Sequence, residues 1–178
     1  TEWAEIGVVL EDPYIIILRD LVEFPNGHRN GYVRMIPRPD LIGGIGVVML
    51  PIYENGVVLL KHFRHSTRKW HFEIPRGYGE PNVSAENNAR RELEEELGAN
   101  ISELISLGLY YPETGFESQC TEIFLTRINS IGSLATDEGI VSFLLLGFVE
   151  LEDWIADGKI TDGFTIAAYT KAKLKGLI

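Results

Sequence analysis

The chain reads as an α/β protein in which strands and helices alternate after an initial run of strands. Three observations carry that reading. Residues 46–50 (Gly-Val-Val-Met-Leu) and 56–60 (Gly-Val-Val-Leu-Leu) are continuous apolar runs, the pattern of strands buried on both faces. Residues 84–98 have the start, stripe and stop of an amphipathic helix. Further strand-like runs follow, and the chain closes on a second helical pattern.

The elements follow in order. Residues 4–36 read as short strands: 14–18 is a rich β run, Asn26-Gly27 is a turn signal, and 32–36 is the returning strand. Pro37 and Pro39 are expected to break regular pairing. The two apolar strands meet at a turn near Glu54-Asn55-Gly56. Residues 61–69 (Lys-His-Phe-Arg-His-Ser-Thr-Arg-Lys) are the most basic stretch, either a solvated loop or an edge facing phosphate. His62 and His65, without carboxylate or Cys spacing around them, are expected at the surface rather than on a metal. In the helix, Ser84 is the N-cap and Gly98 the left-handed stop, and Ala85, Ala89, Leu93 and Leu97 form one apolar stripe. Residues 105–111 and 121–126 read as strands joined by a loop, and 135–139 as a polar loop before the apolar run 140–149. A short helix over 151–158 and a final helix capped by Thr161 or Asp162 complete the pattern.

At 178 residues the chain is long enough for one well-cored domain. Its 26 acidic and 16 basic residues give a net charge of −10, which argues against general binding to nucleic acid or anionic membranes. Cys120 is alone, no apolar run reaches membrane-spanning length, and no signal-peptide pattern opens the sequence. A cytoplasmic location is the expectation.

The chemistry concentrates on the first helix. Glu92 and Glu96 stand four residues apart, Glu95 lies beside them, and Arg91 is placed to hold Glu95. Three carboxylates on one turn repel each other, and a hard divalent cation such as Mg²⁺ relieves that repulsion. A solvated acidic helix face is the plainer alternative.

Residues 77–99 resemble the Nudix box, G-x5-E-x7-R-E-U-x-E-E-x-G-U, where U is bulky and apolar. Gly77, Arg91, Glu92, Leu93, Glu95, Glu96 and Gly98 fall on it in register. Ala99 is a small version of the last position, and Val83 stands where the pattern has its first Glu. The resemblance implies a Nudix-type α/β/α sandwich with a mixed sheet over 41–178. It also implies a small antiparallel sheet over 1–40 that takes part in dimerisation. The implied activity is Mg²⁺-dependent (or Mn²⁺-dependent) hydrolysis of a nucleoside diphosphate derivative, with ADP-ribose, giving AMP and ribose 5-phosphate, as first candidate. The implied partners are a small nucleotide substrate and a second copy of the chain.

The same resemblance suggests roles. Glu92, Glu95, Glu96 and the Arg76 carbonyl would hold metal, and Glu138 would act as base, with Glu95 as second choice and Asp137 as neighbour. Arg64 would orient the diphosphate. Pro112 would mark the substrate loop, where Phe116 or Tyr111 stacks on a base or simply packs. Glu73 either assists the site or forms a sheet-end salt bridge. The missing carboxylate at Val83 keeps a second class of function open, a catalytically weak ligand sensor, with Glu80 as the residue placed to compensate. Other nucleotide sugars, such as GDP-mannose, and dinucleoside polyphosphates remain open as substrates.

Overall fold

The computed structural model describes residues 5–178. Residues 1–4, which open the expected N-terminal β region, lie outside the described residues. Strands β1 (Gly7–Glu11), β2 (Ile15–Glu23) and β3 (Arg29–Pro37) form an antiparallel sheet in that order. Asn26 and Gly27 make the β2–β3 turn: the Asn26 side chain accepts from His28 N, and Gly27 has φ +80°. Pro37 does not break the pairing as expected. It is the last residue of β3, in register with Ile15, and the next turn is a short helix, α1 (Arg38–Leu41).

The second sheet is built from β4 (Gly46–Tyr53), β5 (Gly56–Arg64), β6 (Lys69–Glu73) and β7 (Arg76–Gly77), followed by helix α2 (Ala85–Leu97). Strands β8 (Asn100–Tyr110), β9 (Thr121–Ser130) and β10 (Ile140–Gly147) follow. A 3₁₀ turn at Thr136–Glu138 precedes β10. Helices α3 (Phe148–Ala156) and α4 (Gly163–Leu174) end the chain. The strand order is β10-β5-β4-β9-β8, with β6 on β5 and β7 on β4. The sheet is mixed because β4 and β9 run parallel while the other pairs are antiparallel.

Alternation along the central strands divides the core in two. Val48, Leu50, Ile52, Val57 and Leu59 pack with Leu151, Ala168 and Ala172 of α3 and α4. Val47, Met49, Val58 and Leu60 pack with Ala89, Leu93 and Leu97 of α2. The result is an α/β/α sandwich, with α2 on one face and α3 and α4 on the other. Both central strands are covered on both faces, which is why their apolar runs are unbroken.

The caps of α2 stand where the sequence places them. Ser84 Oγ accepts from Asn87 N at 3.3 Å, and Gly98 takes φ +55°. The final helix is capped by Asp162, which accepts from Thr165 N at 2.9 Å. Two boundaries differ from expectation. The apolar run 140–149 is a strand only to Gly147, where α3 begins, three residues ahead of the expected helix start. The basic stretch 61–69 is not one loop, because β5 continues through Arg64.

Candidate active site

The box loop closes directly onto α2. A Cβ on Gly77 would stand 2.0 Å from the Glu92 carboxyl carbon, so the strand end at β7 reaches the helix only because residue 77 has no side chain. Gly79 lies equally close to the backbone of Ile45. These contacts hold the loop against the acidic face of α2.

On that face, Glu92, Glu95 and Glu96 line one cavity of about 480 Å³ with Glu138 from the 3₁₀ turn, and with Arg76 and Gly77. Residues 46 positions apart in sequence are thereby brought together. Arg91 organises the group: its Nη1 donates to Glu95 Oε2 and its Nη2 to Glu92 Oε1, both at 2.7 Å. Its Nε lies 3.5 Å from Glu80 Oε1, too poorly aligned to hydrogen-bond, so it is buried without a hydrogen-bond partner. Glu80 thus stands beside Arg91 from the loop that also carries Val83, which is half-buried.

Glu96 is the unusual member. It is 4% exposed, and no cation forms an ion pair with it among the described residues. Burial, with Glu92 and Glu138 nearby, pushes its pKa up to about 8. Burial also raises Glu92, against the pull of Arg91. This set of oxygen donors fits a hard divalent cation, whose charge would offset both desolvation and repulsion. The carboxylates border an open cavity; among the described residues no three ligating groups close on one point. Such openness suits a cation that retains waters and takes phosphate oxygens as ligands.

A second cavity, of about 390 Å³, adjoins the first and shares Arg76, Gly77 and Tyr78 with it. Arg64 and Pro112 line it, as do Phe164 of α4 and Thr121 at the start of β9. Phe116 is 40% exposed and is used mainly through its backbone: its carbonyl accepts from Met35 N at 2.7 Å, tying this loop to β3. Tyr111 is exposed nearby.

Between the cavities and the sheet lies a buried polar hub. Glu73 is 1% exposed and accepts from His62 Nδ1 at 3.2 Å, from Arg64, and from Arg76 Nη2 at 3.4 Å. Burial alone would raise Glu73, but His62, Arg76 and Arg64 outweigh it and hold its pKa down to about 2. Arg76 Nη1 also donates to Asp162 at 2.7 Å, and its guanidinium lies 4.8 Å from the Phe164 ring centre. The long side chain at this box-flanking position is therefore directed to α4, although residue 76 also lines the acidic cavity.

His62 corrects the sequence reading. It is buried, not superficial, because β5 runs past Leu60 and residue 62 continues the inward face of Val58 and Leu60. His65, beyond the strand, is exposed. Phe63 N donates to Gly139 O at 3.0 Å, so the strand carrying Arg64 also anchors the turn carrying Glu138. Glu73 forms the salt bridges that were one of its two expected roles, but the place of His62 in the hub had only a slight sequence signal, alternation in register from residue 58 onward.

A mixed-sheet α/β/α sandwich with a glycine loop closed on a Glu-rich helix defines a class, and comparison places the chain in it. The model of the NUDIX domain family matches residues 44–159, and the chain belongs to that family. It is 29% identical over 110 residues to an ADP-ribose pyrophosphatase of Bacillus subtilis, covering 62% of this chain and 57% of that protein. It is 26% identical over 160 residues to a methanol dehydrogenase activator of Bacillus methanolicus, covering 88% and 83%. The ADP compounds hydrolase NudE of Escherichia coli is 30% identical over 86 residues, covering 48% and 44%. In fold, the chain superposes on the crystal structure of an ADP compounds hydrolase with a TM-score of 0.81 at 22% identity, over 97% of this chain and 93% of that one. The match to the pyrophosphatase spans little more than half of that relative. No helix among the described residues is long and apolar enough to cross a membrane.

Proposed function

We propose that this chain hydrolyses the pyrophosphate bond of a nucleoside diphosphate derivative, with ADP-ribose, giving AMP and ribose 5-phosphate, as the first candidate. The observation that carries the reading is the junction of two cavities across Arg76–Tyr78, one walled by Glu80, Glu92, Glu95, Glu96 and Glu138 and one lined by Arg64. A diphosphate spanning that junction meets the acidic site at one end and a guanidinium at the other. The family membership and the names of two relatives support the same class of substrate.

Glu92, Glu95, Glu96 and the Arg76 carbonyl would hold Mg²⁺, or Mn²⁺ in its place. When bound, the cation supplies charge neutralisation and Lewis acidity at a phosphoryl oxygen. Arg64, its guanidinium oriented by Glu73, donates N–H bonds to the diphosphate. Arg91 keeps Glu92 and Glu95 at fixed positions. Glu138, exposed at the cavity wall, takes the proton of the attacking water, with Glu95 as the second choice. Pro112 shapes the wall of the neighbouring cavity, and Phe116 fixes the substrate loop to β3. The N-terminal sheet, with Val8, Val9, Leu10 and Leu21 exposed, supplies a surface for pairing two copies. The expected place of action is the cytoplasm.

The test is AMP release from ADP-ribose with Mg²⁺, for wild type and Glu96→Gln. Activity in wild type that collapses in the variant is expected. Equal near-blank rates on ADP-ribose and on a panel of nucleotide sugars and dinucleotides, with saturable binding of one of them, would instead favour a ligand sensor. Val83 is the feature that keeps this second reading in play.

A further inference from the structure

Thr121 has no explanation in the hydrolytic machinery. It is 2% exposed, its Oγ1 is buried with no hydrogen-bond partner among the described residues, and it lines the second cavity. A buried hydroxyl left unpaired is costly, so a protein keeps one where something else satisfies it. Gln119 stands beside it: a Cβ built on Gly46 would lie 3.1 Å from both Gln119 Nε2 and Thr121 Oγ1. The two polar ends therefore converge over a backbone position that has no side chain. Glu117 lines the same cavity, so residues 117, 119 and 121 present a carboxylate, a carboxamide and a hydroxyl to one space.

We propose that Thr121, Gln119 and Glu117 form a subsite that reads the hydroxyls of a ribose attached to the diphosphate. This rests on the hydrolase reading for its choice of ligand. Hydroxyl and carboxamide groups both donate and accept, as sugar hydroxyls do, and a carboxylate accepts from a diol. A nucleobase is the poorer fit, since the Arg76 guanidinium already covers a face of Phe164 at 4.8 Å. Arg64 and Arg76, which line the same cavity, give the anionic end its place.

The experiment measures Kd by calorimetry, with Mg²⁺, for the non-hydrolysable α,β-methylene analogue of ADP-ribose and for ADP. It compares wild type, Thr121→Val, Thr121→Ser and Gln119→Leu, and adds KM and kcat for ADP-ribose. Valine matches threonine in shape, so the buried strand end keeps its packing. Thr121→Val is expected to weaken the analogue roughly tenfold, from an unpaired sugar hydroxyl, and Thr121→Ser to restore it. KM is expected to move more than kcat. A penalty shared by ADP assigns the subsite to the nucleoside ribose; a penalty confined to the analogue assigns it to the distal sugar. Unchanged Kd for both ligands in Thr121→Val and Gln119→Leu would overturn the subsite. So would a Thr121→Val penalty that disappears when adenine is replaced by hypoxanthine, because the base would then be what is read. A wild type that binds the analogue but releases no AMP sinks the hydrolase reading alone, and the same Kd values still decide the subsite.

Discussion

Glu73 and Glu96 are both buried carboxylates, and they are opposites. Glu73 is surrounded by His62, Arg64 and Arg76, and its pKa is held down to about 2. Glu96 faces Glu92 and Glu138, and its pKa is pushed up to about 8. One charge is satisfied by the protein itself, and the other is left for something to arrive. Burial is common to both, so the difference lies in the neighbours. A satisfied buried carboxylate orients other groups, here the two arginines. An unsatisfied one stores a preference for a cation.

The largest effect that tests this contrast is on activity. Glu96→Gln is expected to lower Mg²⁺-dependent AMP release by orders of magnitude, while raising the thermal stability of the metal-free protein near pH 8, where the glutamine carries no charge to bury. A variant that loses activity and stability together would remove the distinction between the two sites.

Glu73→Gln is expected to act the other way, on stability first. Removing one partner from a buried ionic group typically costs about 3–5 kcal/mol, here chiefly because Arg64 loses its carboxylate while Arg76 keeps Asp162. Urea unfolding reads this directly. Stability within experimental error of wild type would show that Arg64 and Arg76 are satisfied without Glu73.

The pH dependence of the metal-free protein follows, with opposite signs. Glu73 is depressed below its ordinary value of 4.5, so its contribution is present above that pH and is lost as pH falls through about 2. Glu96 is raised from the same ordinary value, so between 4.5 and about 8 the folded protein keeps a proton that the unfolded chain has released. Stability from this group therefore falls as pH rises across that window. Tm measured from pH 2 to 9 in chelator is expected to peak in the acid range, with Glu73→Gln flattening the acid limb and Glu96→Gln the other.

The smallest effect concerns Val83. Glu80 already stands 3.5 Å from Arg91 Nε, although it does not hydrogen-bond to it. Val83→Glu is expected to raise kcat/KM by roughly fivefold at most, the scale of an exposed ion pair. A large loss of activity would show that the half-buried valine is required where it stands.

Much of this was legible in residue order because its causes are local. The α2 helix follows from Ser84, Gly98 and an apolar residue at every fourth position, all within one short segment. The grouping of Glu92, Glu95 and Arg91 follows from the pitch of that helix. The burial of β4 and β5 follows from unbroken apolar runs. Where local patterns are continuous, however, a boundary is hidden: the strand-to-helix change at Gly147 lies inside a single hydrophobic stretch.

The remaining features depend on contacts between distant segments. His62 is buried because β5 extends and Glu73 on the neighbouring strand receives it. Asp162 meets Arg76 across 86 residues. Glu138 joins the helix carboxylates because β10 pairs with β5, and its turn hydrogen-bonds to Phe63. Gln119 and Thr121 converge over Gly46 because β9 runs parallel to β4. Helix pitch and strand alternation determine what a residue's near neighbours are. Sheet order and burial determine which charges share a cavity, and hence which carboxylate is paired with arginine and which faces other carboxylates.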